Sequence, residues 1–171
     1  MAVQESRKRS KAPSSKCHTG TIRQILEQAE LACRARGTRL TAKRRCVLRG
    51  LLESKHALSA YELADYCKEH LQQSLPPMSV YRMLQFLQDE QLAHKLESTN
   101  KYVACSHISC SHEHGVPQFL ICSACRKVTE IELERSLFET MCDAVSEAGF
   151  QFTSPKFELN CLCTSCATAA H

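Results

Sequence analysis

An α+β fold, in which a winged helix-turn-helix domain precedes a small α/β domain, is predicted by three features of this 171-residue chain. In the front half apolar residues recur at three- and four-residue steps, and from Leu92 the period drops to two. In the back half two Cys-x-x-Cys pairs each follow a strand-like run. Charge divides along the same line: residues 1–99 hold 17 Lys and Arg against 10 Asp and Glu, and residues 100–171 hold 5 against 8. A polyanion should therefore meet the front half.

Residues 1–18 are basic, polar and too poor in apolar side chains to offset the entropy of ordering, so they read as a disordered tail. Its Arg7, Lys8, Arg9 and Lys11 are available to phosphates. From Thr21 to Arg36, Ile22, Ile25, Leu26, Ala29 and Cys33 fall on one helical face, and Gly37 supplies the stop. A second helix begins after Thr41, with Cys46, Val47, Leu51 and Leu52 inward and Lys43, Arg44, Arg45 and Arg49 as its charge. The third starts at "SAYE", where Ser59 and Glu62 form a capping box and Leu63, Ala64 and Leu71 face inward. Pro76 and Pro77 close the link to a fourth helix, from Met78 or Ser79 to about Glu90, with Val80, Leu84 and Leu87 on one face.

In "LAHKLESTNKYVAC" the residues Leu92, His94 and Leu96 share one face of a β-hairpin whose turn is Thr99 and Asn100. This closes the first domain, residues 19–104. Residues 105–171 form the second, with strands at "QFLIC" and "KVTEIEL", a helix from Glu134 to Ala148 and a strand from Phe150 to Leu159.

No apolar run is long enough to span a bilayer, and "MAVQESRKRSKAPSSK" lacks the apolar stretch of a secretory signal, which points to a cytoplasmic protein. In a reducing compartment the twelve cysteines stay free, and their spacing reads as metal chemistry. Cys122-x-x-Cys125 and Cys163-x-x-Cys166 supply the four thiolates of a closed, tetrahedral, structural zinc site, with Cys161 as a spare sulfur.

That leaves His94, Cys105, His107, Cys110, His112, His114 and Glu130 for a second site. A two-residue turn at Thr99 and Asn100 pairs His94 with Cys105, with Cβ atoms roughly 4.5–5.5 Å apart on one face. One histidine of "HEH", His112 or His114, would be a third ligand, and Glu130 a fourth. Such a site joins the two domains and sets the angle between them. A thiolate among imidazole and carboxylate suits Zn(II), whereas ferrous or manganous sites favour nitrogen and oxygen alone.

These residues carry a resemblance. "LTAKRRCVLRGLL", "LSAYELADY", "PPMSVYRMLQFL", "HKLESTNKYV", "FLICSACRKVTE" and the last Cys pair resemble the ferric-uptake-regulator family over about residues 20–166, and "HKLESTNKYV" looks like its zinc-uptake-regulator branch. The resemblance implies a homodimeric repressor of zinc-uptake genes, with a C-terminal dimerisation domain and two zinc ions per chain, one structural and one regulatory. It implies a structural site at Cys122, Cys125, Cys163 and Cys166, and a regulatory one at His94, Cys105, His114 and Glu130, His112 being the alternative to His114. Arg126 stands where the family usually has Gly, and Cys161 where Gly often precedes the last pair.

On the fourth helix Ser79, Tyr81, Arg82 and Gln85 turn outward near the N-terminus, the end that enters the major groove of duplex DNA. Arg82 can donate two bonds to a guanine edge, and Lys43, Arg44 and Arg45 can meet phosphate. The resemblance places DNA contacts at Tyr61, Tyr81 and Arg82. A regulator of the same fold sensing iron or peroxide is the alternative, distinguished by its sensor ligands. A zinc deaminase is excluded, because Glu113 adjoins both His112 and His114 and no Pro precedes either Cys pair. No enzyme, no small-molecule substrate and no membrane partner is expected.

Overall fold

The computed structural model describes residues 20–109 and 116–169. The basic tail, Cys110 and both histidines of "HEH" lie outside the described residues.

Local signals set the helix ends. Helix α1 (Ile22–Ala35) starts on a capping box, in which Thr21 Oγ1 accepts the Gln24 N–H and Gln24 Oε1 accepts the Thr21 N–H at 2.8 Å. It ends before Gly37, whose φ of 74° suits a residue without a Cβ. Thr41 caps α2 (Ala42–Glu53), and Ser59 with Glu62 caps α3 (Ala60–Leu71) by the same reciprocal pair as in α1. Helix α4 (Pro77–Asp89) starts a residue earlier than expected, because a proline at the first helical position gives up only an N–H that has no partner there.

These helices share one core. Ile25, Leu26, Ala29 and Cys33 of α1 and Val80, Leu84 and Leu87 of α4 are buried as their spacing predicts. In α2 the buried set is Val47, Leu48, Gly50 and Leu51, with Cys46 and Leu52 only partly covered. The difference arises because α2 packs against α1, α3 and α4 and so buries a wider arc than one stripe. Cys67 replaces Leu71 as the inward residue late in α3. Arg36, just past α1, donates to the Glu90 carboxylate at 2.7 Å and to the Glu90 carbonyl at 2.8 Å, tying the ends of α1 and α4 together.

Strands β1 (Ala93–Leu96) and β2 (Lys101–Ala104) form the hairpin, and a bridge from Leu58 to Tyr102 attaches it to the residues before α3. Its register corrects the sequence reading. His94 lies opposite Val103, not Cys105, and the turn holds four residues, Glu97 to Asn100, with Asn100 at a φ of 51°. The shift is two residues. Since side chains alternate with period two, His94 and Cys105 stay on the same face, diagonal rather than opposite.

Strands β3 (Pro117–Cys122) and β4 (Val128–Glu132) are antiparallel. Helix α5 (Arg135–Glu147) then carries the chain back to β5 (Glu158–Cys161), which pairs parallel to β3 and gives the order β4-β3-β5. The last strand is much shorter than the expected Phe150 to Leu159. Phe152 and Phe157 instead pack on Phe138 of α5 and Pro155 interrupts the run, so the strand begins only at Glu158 and extends two residues past the expected end, to Cys161. A short helix, α6 (Thr164–Ala169), follows.

The hairpin leans on this sheet. Ala57, Leu96, Phe119 and Ile121 form a buried apolar cluster with Val103 and Val128 at its margin, so residues of both halves make one small core. Among the described glycines the closest approach is at Gly50 of α2, where an added Cβ would lie 2.7 Å from Leu63 Cδ1. Gly50→Val should therefore lower the urea midpoint by the equivalent of about 1–3 kcal/mol. An unchanged midpoint would mean that α2 and α3 are less closely packed than described.

Candidate functional site

The parallel pairing of β3 with β5 sets Cys122 opposite Cys161, so the turns that follow both strands leave from one edge of the sheet. There the sulfurs of Cys122, Cys125, Cys163 and Cys166 all lie within 4.8 Å of one another. Cys125 Sγ and Cys163 Sγ are 3.7 Å apart. Four sulfurs about 2.3 Å from a tetrahedral zinc are separated by about 3.8 Å, so the cluster has the dimensions of such a site. Cys161 lies outside it, with Sγ 3.8 Å from the Ile121 carbonyl.

Backbone N–H groups aimed at Cys122, chiefly from Cys125 and Cys163, lower its thiol to about 6. The neighbouring sulfurs, Cys163 first, push the Cys166 thiol up to about 12. One sulfur is thus poised to ionise while another resists, and a divalent cation is what lets all four carry charge together. Arg126, in the knuckle, holds a φ of 60° while its N–H bonds the Cys122 carbonyl at 2.9 Å. This is the left-handed conformation that glycine adopts most easily.

The second cluster joins the hairpin to the sheet. Ligand atoms of His94 on β1, Cys105 just after β2 and Glu130 on β4 converge within 4.8 Å. Glu130 is 8 % exposed. Burial alone would raise its carboxyl, but His94, the Ser106 N–H at 2.8 Å and the His107 ring outweigh it and hold the group down at about 2. His94 Nε2 lies 3.4 Å from Glu130 Oε1, yet among the described residues this buried nitrogen has no hydrogen-bond partner. Such an orphaned nitrogen costs stability unless something else satisfies it, and a cation at the trio would. Burial, and then the charge of Glu130, push the Cys105 thiol up to about 12.

Sulfur, imidazole and carboxylate in one buried spot are a donor set for Zn(II). The expected fourth ligand, His114 or His112, falls outside the described residues. His107, set aside in the sequence as a leftover, lies between two carboxylates, with Nδ1 3.3 Å from Glu130 Oε1 and Nε2 3.5 Å from Glu132 Oε1. Its spacing from Cys105 gave no sign of this, because Glu130 and Glu132 reach it from another strand.

The outward face of α4 meets expectation in part. Tyr61 is 59 % exposed and stands edge-on to Tyr81 with ring centroids 6.2 Å apart. Arg82 is exposed, Ser79 is half-buried, and Lys43 on α2 is exposed. Arg44 lies with its guanidinium 3.5 Å from the Phe86 ring centroid and donates to the Arg39 carbonyl at 2.8 Å, which ties α2 to α4. Arg45 pairs with Glu30 at 2.9 Å and is thereby drawn away from solvent phosphate.

A model of the ferric uptake regulator family matches residues 35–166. The zinc uptake regulation protein of Escherichia coli (strain K12) is 38% identical over 146 residues, which are 85% of this chain and 83% of that protein. The Shigella flexneri protein of the same description matches equally well. Among solved structures, a zinc uptake regulator complexed with zinc and DNA superposes with a TM-score of 0.74 at 33% identity, covering 89% of this chain and 99% of the other. A crystal structure of holo XcZur gives 0.69 at 37% identity, covering 85% and 98%.

The protonated state of Cys105 has a measurable consequence. With its thiol near 12 and Glu130 near 2, the trio at neutral pH has a thiol that must lose a proton to ligate and a carboxylate that need not. Zinc uptake by protein already holding one equivalent should release one proton from Cys105, and affinity should rise about tenfold per pH unit between pH 7 and 8. Competition titrations with a chromophoric chelator read this directly. A pH-independent affinity would mean that no thiol joins the second site.

Proposed function

The chain belongs to the ferric uptake regulator family, and from that premise we propose that it is a zinc-responsive repressor that binds operator DNA as a zinc-loaded homodimer and controls zinc-uptake genes. The observation that carries this reading is the convergence of His94 and Cys105 from the hairpin with Glu130 from the sheet. It is a regulator, not an enzyme. Two zinc ions per chain are proposed, one held by Cys122, Cys125, Cys163 and Cys166, the other by His94, Cys105, Glu130 and a histidine of the "HEH" segment, His114 before His112. The participation of Cys105 favours zinc over iron.

Bound zinc supplies a divalent positive charge that makes ligation by thiolate, imidazole and carboxylate at one point favourable. The rest is done by the chain's own residues. His94 and Cys105 sit on the hairpin that packs beside α4, while Glu130 sits on β4 of the sheet. Holding these three side chains together limits how α4 can turn relative to the sheet. If the sheet is also where two copies meet, it sets the spacing of two α4 helices along a palindrome. Helix α5 buries no residue and Leu137, Phe150, Leu159 and Leu162 are exposed, which supports that side as the dimer surface.

We assign residues 19–104 to DNA reading and 105–171 to dimerisation, with residues 1–18 as a basic tail. Tyr61, Ser79, Tyr81 and Arg82 are proposed to face the major groove, Arg82 on a base edge, with Lys43 and Arg44 near phosphate. The described residues contain no helix long and apolar enough to cross a membrane; a cytoplasmic site of action is proposed from the reading of the chain as a DNA-binding regulator.

A duplex selected from a random pool by the zinc-loaded protein is the probe. It should be bound with zinc and released when a chelator removes the labile equivalent. Arg82→Ala should cost about 1–3 kcal/mol of discrimination against unrelated duplex, whereas Lys43→Ala should weaken all duplexes alike. Equal binding with zinc and with chelator would end the proposal.

A further inference from the structure

The hairpin has a second attachment to the sheet, at its tip. Glu158, the first residue of β5, directs its carboxylate at the hairpin turn. Oε1 accepts the Glu97 N–H at 2.6 Å, and Oε2 accepts the Ser98 N–H at 3.0 Å together with the Ser98 hydroxyl. These donors are available because hairpin pairing stops at Leu96 and Lys101, so the four-residue turn leaves the N–H groups of Glu97 and Ser98 without a strand partner. Two successive N–H groups facing one carboxylate make charge-assisted bonds, stronger than neutral ones. The Glu97 carboxylate is drawn to Lys95 Nζ at 2.7 Å, which keeps a second negative charge occupied beside Glu158.

Position gives this contact its consequence. His94, Cys105 and Glu130 meet near the base of the hairpin, and Glu158 meets its tip. Three residues of extended chain, from His94 to Glu97, span about 10 Å. Between the two attachments Leu96 rests in the apolar cluster with Phe119, whose Cα lies opposite Glu158 in the sheet. A single attachment lets the hairpin pivot about it. Two, separated along the strand, fix its direction.

We propose that Glu158 is a positioning residue for DNA binding, a metal-free tie that orients the hairpin and hence α4 while the trio at the base responds to zinc. This rests on the reading of the chain as a zinc-responsive DNA binder. The tie favours the same arrangement as ligation at the base does, so the two contacts reinforce each other without sharing an atom.

The test uses the full-length, zinc-loaded homodimer and three variants, Glu158→Gln, Ser98→Ala and the double. An amide at position 158 loses the charge and turns a donor toward one of the two N–H groups. Glu158→Gln should keep two zinc ions per chain and, with Co(II) at the labile site, an unchanged thiolate-to-metal absorption band. Amide exchange at Glu97 and Ser98, followed without DNA, should become about tenfold faster, and affinity for the selected duplex should fall about tenfold. Ser98→Ala should lose less, and its loss should vanish in the Glu158→Gln background, as expected of two partners in one contact. Exchange at the wild-type rate in Glu158→Gln, or wild-type duplex affinity, overturns the proposal. If the wild-type protein binds its duplex without zinc, the functional reading fails instead, and the exchange measurement still decides the tie.

Discussion

A carboxylate withdrawn from water must be matched by other groups, and in this protein the match for Glu130 comes largely from a different part of the chain. Glu130 belongs to the sheet, while His94, the Ser106 N–H and His107 reach it from the hairpin and the residues that follow. Parting the hairpin from the sheet would take away the His94 contact, which does most to hold this carboxyl below its usual range. Among the described residues His94 Nε2 has no hydrogen-bond partner, and burial with the Glu130 charge pushes the Cys105 thiol up, so a cation would fit at this point. A zinc ion held there would meet three side chains that already converge, and Cys105 would give up its thiol proton to it.

The two sulfur-bearing clusters differ for physical reasons. At the sheet edge the first pair runs from the last residue of β3 into the turn that follows and the second from the end of β5 into α6, so adjacent parallel strands set all four sulfurs and their ion would serve to hold the small sheet and α6 together. At the second cluster His94 and Cys105 come from the hairpin and Glu130 from β4, and these belong to two separate sheets. Ligation there would change how parts are arranged rather than whether one of them folds. A closed site made wholly of thiolate suits permanent occupancy, and a mixed, partly built one suits exchange.

Much of this was legible in the sequence wherever the determinant was local. The start of α2 after Thr41, the capping box of Ser59 and Glu62, the inward row Val80, Leu84 and Leu87, and the paired Cys-x-x-Cys motifs depend on neighbours a few residues away. The misses lie where distant residues decide. The turn holds four residues rather than two, with Glu158, some sixty positions later, accepting its free N–H groups. His94 and Cys105 nevertheless converge, since a two-residue slip preserves the face. Strand β5 is short because Phe152 and Phe157 are taken up by α5, and Gly50 is buried because α2 has neighbours on three sides. Arg126 kept its unfavourable backbone conformation where the resemblance predicted glycine, which shows that the knuckle geometry overrides the residue preference.

A cation gathered by His94, Cys105 and Glu130 would fix the hairpin and α4 against the sheet. Small-angle X-ray scattering of the dimer during a zinc titration measures that arrangement without DNA. The curve should stay unchanged up to one zinc per chain, shift to a narrower distance distribution as the second is taken up, and fail to shift in a His94→Ala, Cys105→Ser variant. Superimposable curves at one and two equivalents in the wild-type protein would contradict it.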